Sequence, residues 1–184
     1  MRKARWYRDF FTLEPFCRFG VFYFSCEYRR KGNIMAKTEE VILTNMCMVY
    51  KDGKVLVQDR LDPKWKGIAF PGGHVEKNES FTDAVIREVW EETGLTISSP
   101  QLCGIKSWPR EDESRYIVLF YKTDQFTGEL ISSSEGEVFW ADMDTLTELS
   151  LASGMEDMLK VFLDDSLSEF YYYRENGAWK YELK

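Results

Sequence analysis

Residues 80–94, with the sequence SFTDAVIREVWEETG, constrain the fold more than any other stretch of this chain. Ser80 is a favoured helix N-cap and Asp83 follows three residues later, while Gly94 can adopt the left-handed conformation that ends many helices. The apolar residues between these caps recur at helical spacing and form one stripe: Phe81, Ala84, Val85 and Val89. The pattern predicts a helix of about three to four turns that packs one face on a sheet.

The same helix carries three glutamates on one face. Glu88, Glu91 and Glu92 occupy positions i, i+3 and i+4, which are neighbours on a helix surface. Like charges at this spacing repel, and acids in the last turn face the negative end of the helix dipole. Such a face is either an ordinary solvated helix end or a site for a hard divalent cation, because Mg²⁺ prefers oxygen ligands. We therefore predict a metal site here, and expect a divalent cation to offset the repulsion.

The residues around these glutamates match a longer pattern. The spacing G-x5-E-x7-R-E-U-x-E-E-x-G-U, in which U is a bulky aliphatic residue, is filled at every fixed position by Gly73, Glu79, Arg87, Glu88, Val89, Glu91, Glu92, Gly94 and Leu95. The chain therefore resembles the Nudix hydrolase family. The resemblance implies an α/β (α+β) fold, a Nudix-type α/β/α sandwich with a mixed β-sheet. It also implies hydrolysis of a nucleoside diphosphate linked to another group, with Mg²⁺ or Mn²⁺ as cofactor.

The resemblance implies a role for each matched side chain. The expected metal ligands are the Gly72 carbonyl and the carboxylates of Glu88, Glu91 and Glu92, with Glu135 and Glu137 as further acids. Glu88, Arg87 and Glu91 are the expected catalytic residues, and Arg87 orients the carboxylates while Glu79 supports it structurally. Glu88 is our choice of general base, and a glutamate outside the pattern is the alternative. Glu135 and Glu137 can equally be ordinary loop and strand-edge charges.

The substrate has to be recognised by residues outside this pattern. The stretch QDRLDPKWKGIAFPGG at residues 58–73 resembles the MutT-type nucleoside triphosphate pyrophosphohydrolases of the same family. We expect substrate contacts from Arg60, Gly73, Trp65, Phe70 and Lys66, with Lys64 and Trp108 as further candidates. The cations would meet phosphate or sugar, and the aromatic rings would stack on a base, although aromatic residues in strands are more often core. His74 is expected to be structural.

A nucleoside triphosphate, in particular a purine or an oxidised purine such as 8-oxo-dGTP, is the first expected substrate. The products would be the nucleoside monophosphate and pyrophosphate. ADP-ribose or another nucleoside diphosphate derivative is the alternative, because Pro109 lies fifteen residues after Gly94, where the ADP-ribose branch of the family has a proline. A non-catalytic nucleotide-binding module is a second alternative, which the complete set of glutamates disfavours.

Composition restricts the remaining possibilities. The net charge of −7 opposes binding of nucleic acid polymers or an anionic membrane, so the expected partner is a small nucleotide. Four cysteines without a C-x-x-C pair are too few for a disulfide scaffold, which favours a reducing cytoplasm. A single histidine, His74, disfavours zinc and triad chemistry. We find no apolar stretch long enough to span a bilayer.

The strand and helix pattern begins after residue 35. Hairpins are predicted around Asp52-Gly53 and Asn176-Gly177, and a second helix is predicted over 155–163. Further strands are predicted over 68–70, 102–108, 116–121 and 137–140. The C-terminal ribbon, with aromatic residues at 170–173, is a candidate homodimer surface.

Residues 1–34 differ from the rest in charge, +5 against −12 for residues 35–184. We interpret residues 1–34 as a leader that precedes a native start at Met35, and residues 35–184 as the Nudix domain. A flexible or surface-packing arm is the alternative interpretation of the leader.

Overall fold

The computed structural model describes residues 38–184, together with the backbone of two short antiparallel strands, β1 (Cys17–Arg18) and β2 (Val21–Phe22). The chain divides into two compact units, Met1–Thr38 and Glu39–Lys184. The predicted boundary between residues 34 and 35, and the interpretation of residues 1–34 as a leader, lie outside the described residues.

The second unit contains ten strands and is organised around one large mixed sheet. The strands are β3 (Val41–Lys51), β4 (Lys54–Arg60), β5 (Gly67–Ala69), β6 (Leu95–Ile97), β7 (Gln101–Pro109), β8 (Arg115–Thr123), β9 (Phe126–Gly128), β10 (Gly136–Asp142), β11 (Glu169–Glu175) and β12 (Ala178–Leu183). The order across the large sheet is β10-β4-β3-β8-β7-β11-β12, with β5 paired to β4. The pairs β3–β8 and β7–β11 are parallel, and the others are antiparallel. Strands β6 and β9 form a separate antiparallel pair.

Two predicted turns join strands as expected. Asp52 and Gly53 have φ angles of 50° and 75° between β3 and β4, and Asn176 and Gly177 have φ angles of 54° and 80° between β11 and β12. Positive φ at both central residues is the geometry that Asn-Gly and Asp-Gly hairpins favour. Both predicted hairpins are confirmed.

Two helices cover the two faces of the sheet. Helix α1 (Phe81–Thr93) and helix α2 (Met155–Leu163) match the predicted segments, and a 3-10 helix spans Met143–Glu148. Successive residues of β3 point to opposite faces: Cys47 packs in the core with α1, and Met48 in the core with α2. The predicted α/β/α sandwich with a mixed sheet is therefore confirmed. Among the described residues, no helix is both long and apolar enough to cross a bilayer.

Two aromatic residues with predicted surface roles are core residues instead. Phe70 is 1% exposed, and its ring meets the ring of Phe162 edge-on at 5.1 Å. A buried ring cannot stack on a base, so the expected substrate contact of Phe70 is wrong. Phe170 is fully buried in the same core and contributes nothing to the surface of the C-terminal ribbon. Strand periodicity alone does not tell which face of a strand is covered.

Candidate active site

A glycine-containing loop occupies a gap in the sheet beside β3. Strands β3 and β4 pair only at their turn, and segment 71–75 takes the place of β4 further along β3. The backbone N–H of Asn45 donates to the Gly73 carbonyl at 2.8 Å, and the backbone N–H of Cys47 donates to the Pro71 carbonyl at 2.8 Å. Gly72 has a φ of 152°, and a Cβ there would lie 2.3 Å from the Asn45 carbonyl oxygen. Only glycine fits this close approach of two backbones.

Helix α1 is capped at both ends as the sequence predicts. The Ser80 hydroxyl accepts a hydrogen bond from the Asp83 amide at 3.0 Å, and Gly94 takes the left-handed conformation with a φ of 73°. The Gly94 amide donates to the Trp90 carbonyl. These caps fix where the helix begins and ends, and therefore which side chains turn toward the glycine loop.

Glu92 joins the helix to the glycine loop. Its side chain is 3% exposed, and its Oε2 accepts a hydrogen bond from the Gly72 amide at 2.8 Å. Burial raises the pKa of Glu92 well above its usual range; the Gly72 hydrogen bond opposes this shift and the neighbouring Glu135 carboxylate adds to it. The Arg60 charge also opposes the shift, and a buried carboxylate beside a second carboxylate is an environment that favours a bound divalent ion.

Glu88 packs against bare backbone. A Cβ on Gly73 would lie 2.3 Å from Glu88 Oε2, so the carboxylate occupies the space that a side chain at position 73 would fill. Burial raises the pKa of Glu88 above its ordinary value, and the adjacent Arg87 opposes part of this shift. The glycine at position 73 therefore permits a partly buried carboxylate to sit directly on the loop.

Arg87 connects four acceptors around the helix. Its Nε and Nη2 each donate to one oxygen of Glu79 at 2.9 Å, and Nη1 donates to Glu88 at 2.9 Å and to Glu91 at 3.0 Å. Nη2 also donates to the His74 carbonyl at 3.0 Å. These hydrogen bonds hold the pKa of Glu79 at about 2. The guanidinium thus fixes Glu79 and the glycine loop relative to the glutamates of α1.

One guanidinium partly neutralises the acidic face of α1. Arg87 pairs with both Glu88 and Glu91 and so offsets part of the repulsion between them. Within residues 38–184, no group of three or more acidic, histidine or cysteine side chains is arranged ready to hold a metal ion. The donor chemistry nevertheless fits Mg²⁺ or Mn²⁺, because the carboxylates of Glu88 and Glu92 lie against the glycine loop and Glu91 lies on the same face of the helix.

Of the two additional acids, Glu135 alone lies with this cluster. Its charge raises the pKa of both Glu88 and Glu92, which places it beside them. Glu137 lies on β10 between Gly136 and Val138, and Val138 packs in the core beneath α1. Because neighbouring strand residues face opposite ways, Glu137 lies on the face away from α1. The structure therefore does not bring Glu137 to the predicted ligand set.

Arg60 lies at the end of β4 close to the acidic cluster. It donates from Nη1 to Gln58 Oε1 at 3.3 Å, its guanidinium covers the Trp65 ring at 5.3 Å, and its charge lowers the pKa of Glu92. Its buried Nε has no hydrogen-bond partner among the described residues. Arg60 is therefore a cation beside the glutamates.

The other predicted substrate residues are less available than expected. Lys64 and Lys66 are exposed on the loop between β4 and β5. Trp65 has Arg60 over its ring and donates its indole N–H to the Ser153 carbonyl at 3.0 Å. Trp108 is stacked on Tyr116 at 4.3 Å and has the Lys106 ammonium over its ring at 5.3 Å. Little aromatic face remains free for a base.

Sequence reasoning missed three residues beside the cluster. Asn45 and Gln58 are buried polar side chains on β3 and β4. The side-chain atoms Asn45 Nδ2, Asn45 Oδ1 and Gln58 Nε2 have no hydrogen-bond partner in the described part of the chain. Their signal was a polar residue inside an apolar strand run. Trp90 is 56% exposed and lies between two surface cavities of about 440 and 400 Å³, the second of which Glu91 also lines. The sequence feature that could have identified Trp90 is an aromatic residue outside the apolar stripe of α1.

A mixed sheet between two helices, with an acidic helix anchored to a glycine loop, defines a Nudix-type fold. The chain belongs to the Nudix family: the model of the NUDIX domain matches residues 43–162, which is more than half of the chain. It is similar to the "Uncharacterized Nudix hydrolase YvcI" of Bacillus subtilis, with 35% identity over 59% of this chain and 70% of that protein. It is also similar to an "ADP-ribose pyrophosphatase" of Methanocaldococcus jannaschii, with 34% identity over 56% of this chain and 63% of that protein.

Solved structures agree with this assignment. The MutT protein of Bacillus halodurans superimposes with a TM-score of 0.65 and 29% sequence identity, covering 78% of this chain and 97% of that chain. The MutT Nudix hydrolase of Burkholderia pseudomallei, at 22% identity and a TM-score of 0.58, shares the fold. The chain is therefore a MutT-like Nudix hydrolase, an enzyme of the pyrophosphatase type.

Proposed function

We propose that this enzyme hydrolyses a nucleoside triphosphate to the nucleoside monophosphate and pyrophosphate, with a purine or oxidised purine nucleotide such as 8-oxo-dGTP as substrate. The observation that carries the proposal is the similarity to the B. halodurans MutT protein, which extends over 97% of that chain. The alignment with the archaeal ADP-ribose pyrophosphatase covers less than two thirds of that protein. The MutT type is therefore the better guide to the substrate.

In this proposal the glutamates of α1 hold the metal. Glu88, Glu91 and Glu92, with the Gly72 carbonyl and Glu135, would bind Mg²⁺ or Mn²⁺, which would neutralise phosphate oxygens and make an attacking water more acidic. Glu88 would act as the general base, because it is the carboxylate that lies directly on the loop and burial raises its pKa. The Gly72 carbonyl is included because the Gly72 amide bonds to Glu92 on the same loop.

Arg87 and Arg60 have different roles in this proposal. Arg87 holds Glu79, Glu88 and Glu91 in fixed relation to the loop, and so orients the carboxylates without contacting the nucleotide. Arg60 contributes positive charge next to the cluster, which suits a phosphate oxygen. Lys66 remains a candidate for the outer phosphates. Trp65 and Gly73 remain candidates for substrate contact, and the exposed Trp90 joins them.

A second candidate substrate is ADP-ribose. Pro109 ends β7, and the M. jannaschii relative carries that named activity. The partner in either case is a small nucleotide. We also propose a cytoplasmic location, because four cysteines without a C-x-x-C pair are too few for a disulfide scaffold.

A substrate panel tests the proposal. The kcat/KM values for 8-oxo-dGTP, dGTP, ADP-ribose, dinucleoside polyphosphates and NADH are compared with Mg²⁺ present, and the products are separated by anion exchange. We expect the highest value for a purine triphosphate, with pyrophosphate released. A higher value for ADP-ribose would favour the second candidate. Binding without turnover of any nucleotide would instead favour a non-catalytic module.

A further inference from the structure

Strand β12 is an edge strand whose protection is limited to two charged side chains, Lys180 and Glu182. It pairs with β11 from Ala178 to Leu183 without a bulge, and no other described strand pairs with its outer side. It contains no proline. Natural proteins usually shield such an edge with proline, bulges, charges or a covering segment, because its free amides and carbonyls can pair with another strand.

The hydrogen-bonding pattern tells which residues of β12 offer their backbone outward. Glu169 and Lys184 exchange two main-chain hydrogen bonds at 2.9 Å, so Lys184 turns its amide and carbonyl toward β11. This direction alternates along an antiparallel strand. The backbones of Glu182 and Lys180 therefore also face β11, whereas those of Trp179, Tyr181 and Leu183 face outward.

The side chains of β12 separate into an aromatic face and a charged face. Trp179 and Tyr181 are each 45% exposed, and their rings lie 6.2 and 5.7 Å from the ring of Tyr172 on β11. Lys180 and Glu182 project from the other face of the sheet, with their side chains about half exposed. Both faces would continue smoothly across an added strand with the same pattern.

We propose that β12 pairs with β12 of a second copy of this chain, antiparallel and centred on Tyr181. In this register Tyr181 faces Tyr181, and Trp179 faces Leu183 of the second copy. All of these residues present outward backbone groups, which allows about six main-chain hydrogen bonds. Lys180 then lies opposite Glu182 of the second copy at a non-hydrogen-bonded position, where side chains are closest.

The charges of β12 select this register over its neighbours. A shift of the centre by one residue toward the N-terminus places Lys180 opposite Lys180, and a shift toward the C-terminus places Glu182 opposite Glu182. Directly opposed like charges are destabilising, whereas opposite charges stabilise a strand pair. The strand is therefore complementary to itself, and the occupant of the edge is a second copy. The two sheets would join into one continuous sheet across a two-fold axis.

Charge reversal tests both the partner and the register. Sedimentation velocity of the full chain over a range of concentrations should show a species of twice 21.7 kDa. Lys180→Glu or Glu182→Lys alone should lower dimer affinity by at least about tenfold, because each places like charges opposite one another twice. An equimolar mixture of the two variants should dimerise again, and so should the double variant K180E/E182K. The control is Lys160→Glu on α2, because Lys160 is 53% exposed and Lys180 is 51% exposed.

A backbone variant tests the pairing independently of charge. Tyr181→Pro removes an outward amide that makes no bond to β11, so the fold is retained while two central intermolecular hydrogen bonds are lost. We expect a monomer with unchanged turnover of nucleotide, because β12 does not contact the acidic helix. A wild-type chain that stays monomeric at every concentration refutes the proposal. So does a mixture of K180E and E182K that fails to dimerise, or a Tyr181→Pro variant that still dimerises.

Discussion

The two neighbouring glycines of the loop should respond differently to the same substitution. An added Cβ at Gly72 would lie 2.3 Å from the Asn45 carbonyl oxygen and 2.7 Å from the Met46 Cα, both of which belong to the backbone of β3. For an added Cβ at Gly73, the three nearest atoms all belong to the carboxylate of Glu88. Backbone in a sheet cannot move away without breaking the ladder, whereas a side chain can rotate. Gly72→Ala should therefore lower the free energy of unfolding. Gly73→Ala should keep the fold intact but displace the Glu88 side chain.

The expected loss in the free energy of unfolding for Gly72→Ala follows from the contacts that must break. Moving the loop away from β3 disrupts the hydrogen bonds from Asn45 and Cys47, each worth about 1 kcal/mol. The positive φ at position 72 adds about 1–3 kcal/mol of strain for alanine. The free energy of unfolding should fall by about 3–5 kcal/mol, and Tm by about 6–20 °C for a domain of this size.

Gly73→Ala should lower the free energy of unfolding by no more than about 1 kcal/mol, because only a rotatable side chain has to move. Its turnover should fall by about 100-fold, the loss that a displacement of about 1 Å can cause in a catalytic group. Gly53→Ala is the control: its φ is +75°, but an added Cβ meets no atom within 4 Å, so it should cost only about 1–2 kcal/mol of backbone strain.

Urea unfolding followed by tryptophan fluorescence gives the stabilities, and nucleotide hydrolysis at saturating substrate gives kcat. The reasoning about close approach is wrong if Gly72→Ala is as stable as the wild type. The role of Glu88 is wrong if Gly73→Ala keeps full kcat while its fold is intact.

Three further results are expected. Glu91→Gln should lose turnover by about 100-fold or more with an unchanged Tm, because Glu91 is an exposed side chain; full activity would contradict its assignment as a ligand. Thorough chelation with EDTA should stop hydrolysis, and added Mg²⁺ should restore it; activity that persists excludes the metal-dependent mechanism. Burial among aromatic rings lowers the pKa of Lys106 to about 8 from an ordinary value of 10.5, so the folded state releases its proton first and stability should rise between pH 8 and 10.5. Lys106→Met should flatten that rise in thermal unfolding curves, and an unchanged slope would show that Lys106 is not the responsible group.

Local sequence signals predicted the parts of the structure that depend on neighbouring residues. The caps of α1 at Ser80 and Gly94 and the hairpin turn at Asn176-Gly177 were all correct, because each conformation is set by side chains within a few positions. The spacing of Glu88, Glu91 and Glu92 also predicted their common helix face. These features follow from helix and turn geometry, which is the same in every fold.

Contacts between distant segments were not predictable in the same way. The pairing of loop 71–75 with β3 fills a gap left by β4, and nothing in either segment specifies the other. The burial of Phe70 depends on α2, which lies about 90 residues later in the chain. The separation of Glu135 from Glu137 depends on the direction in which β10 enters the sheet. Sequence periodicity gives two faces for a strand, and only packing decides which one is covered.

The sequence by itself determined the chemical content of this protein: one capped helix with three carboxylates and an arginine, preceded by a glycine pair, in a spacing that belongs to the Nudix family. The tertiary structure decided how these charges are balanced. Arg87 is shared among Glu79, Glu88, Glu91 and the His74 carbonyl, while Glu92 is buried on the Gly72 amide. Which of the nearby carboxylates Arg87 reaches depends on distances between the helix and the loop, and these distances exist only once the sheet has brought the two together.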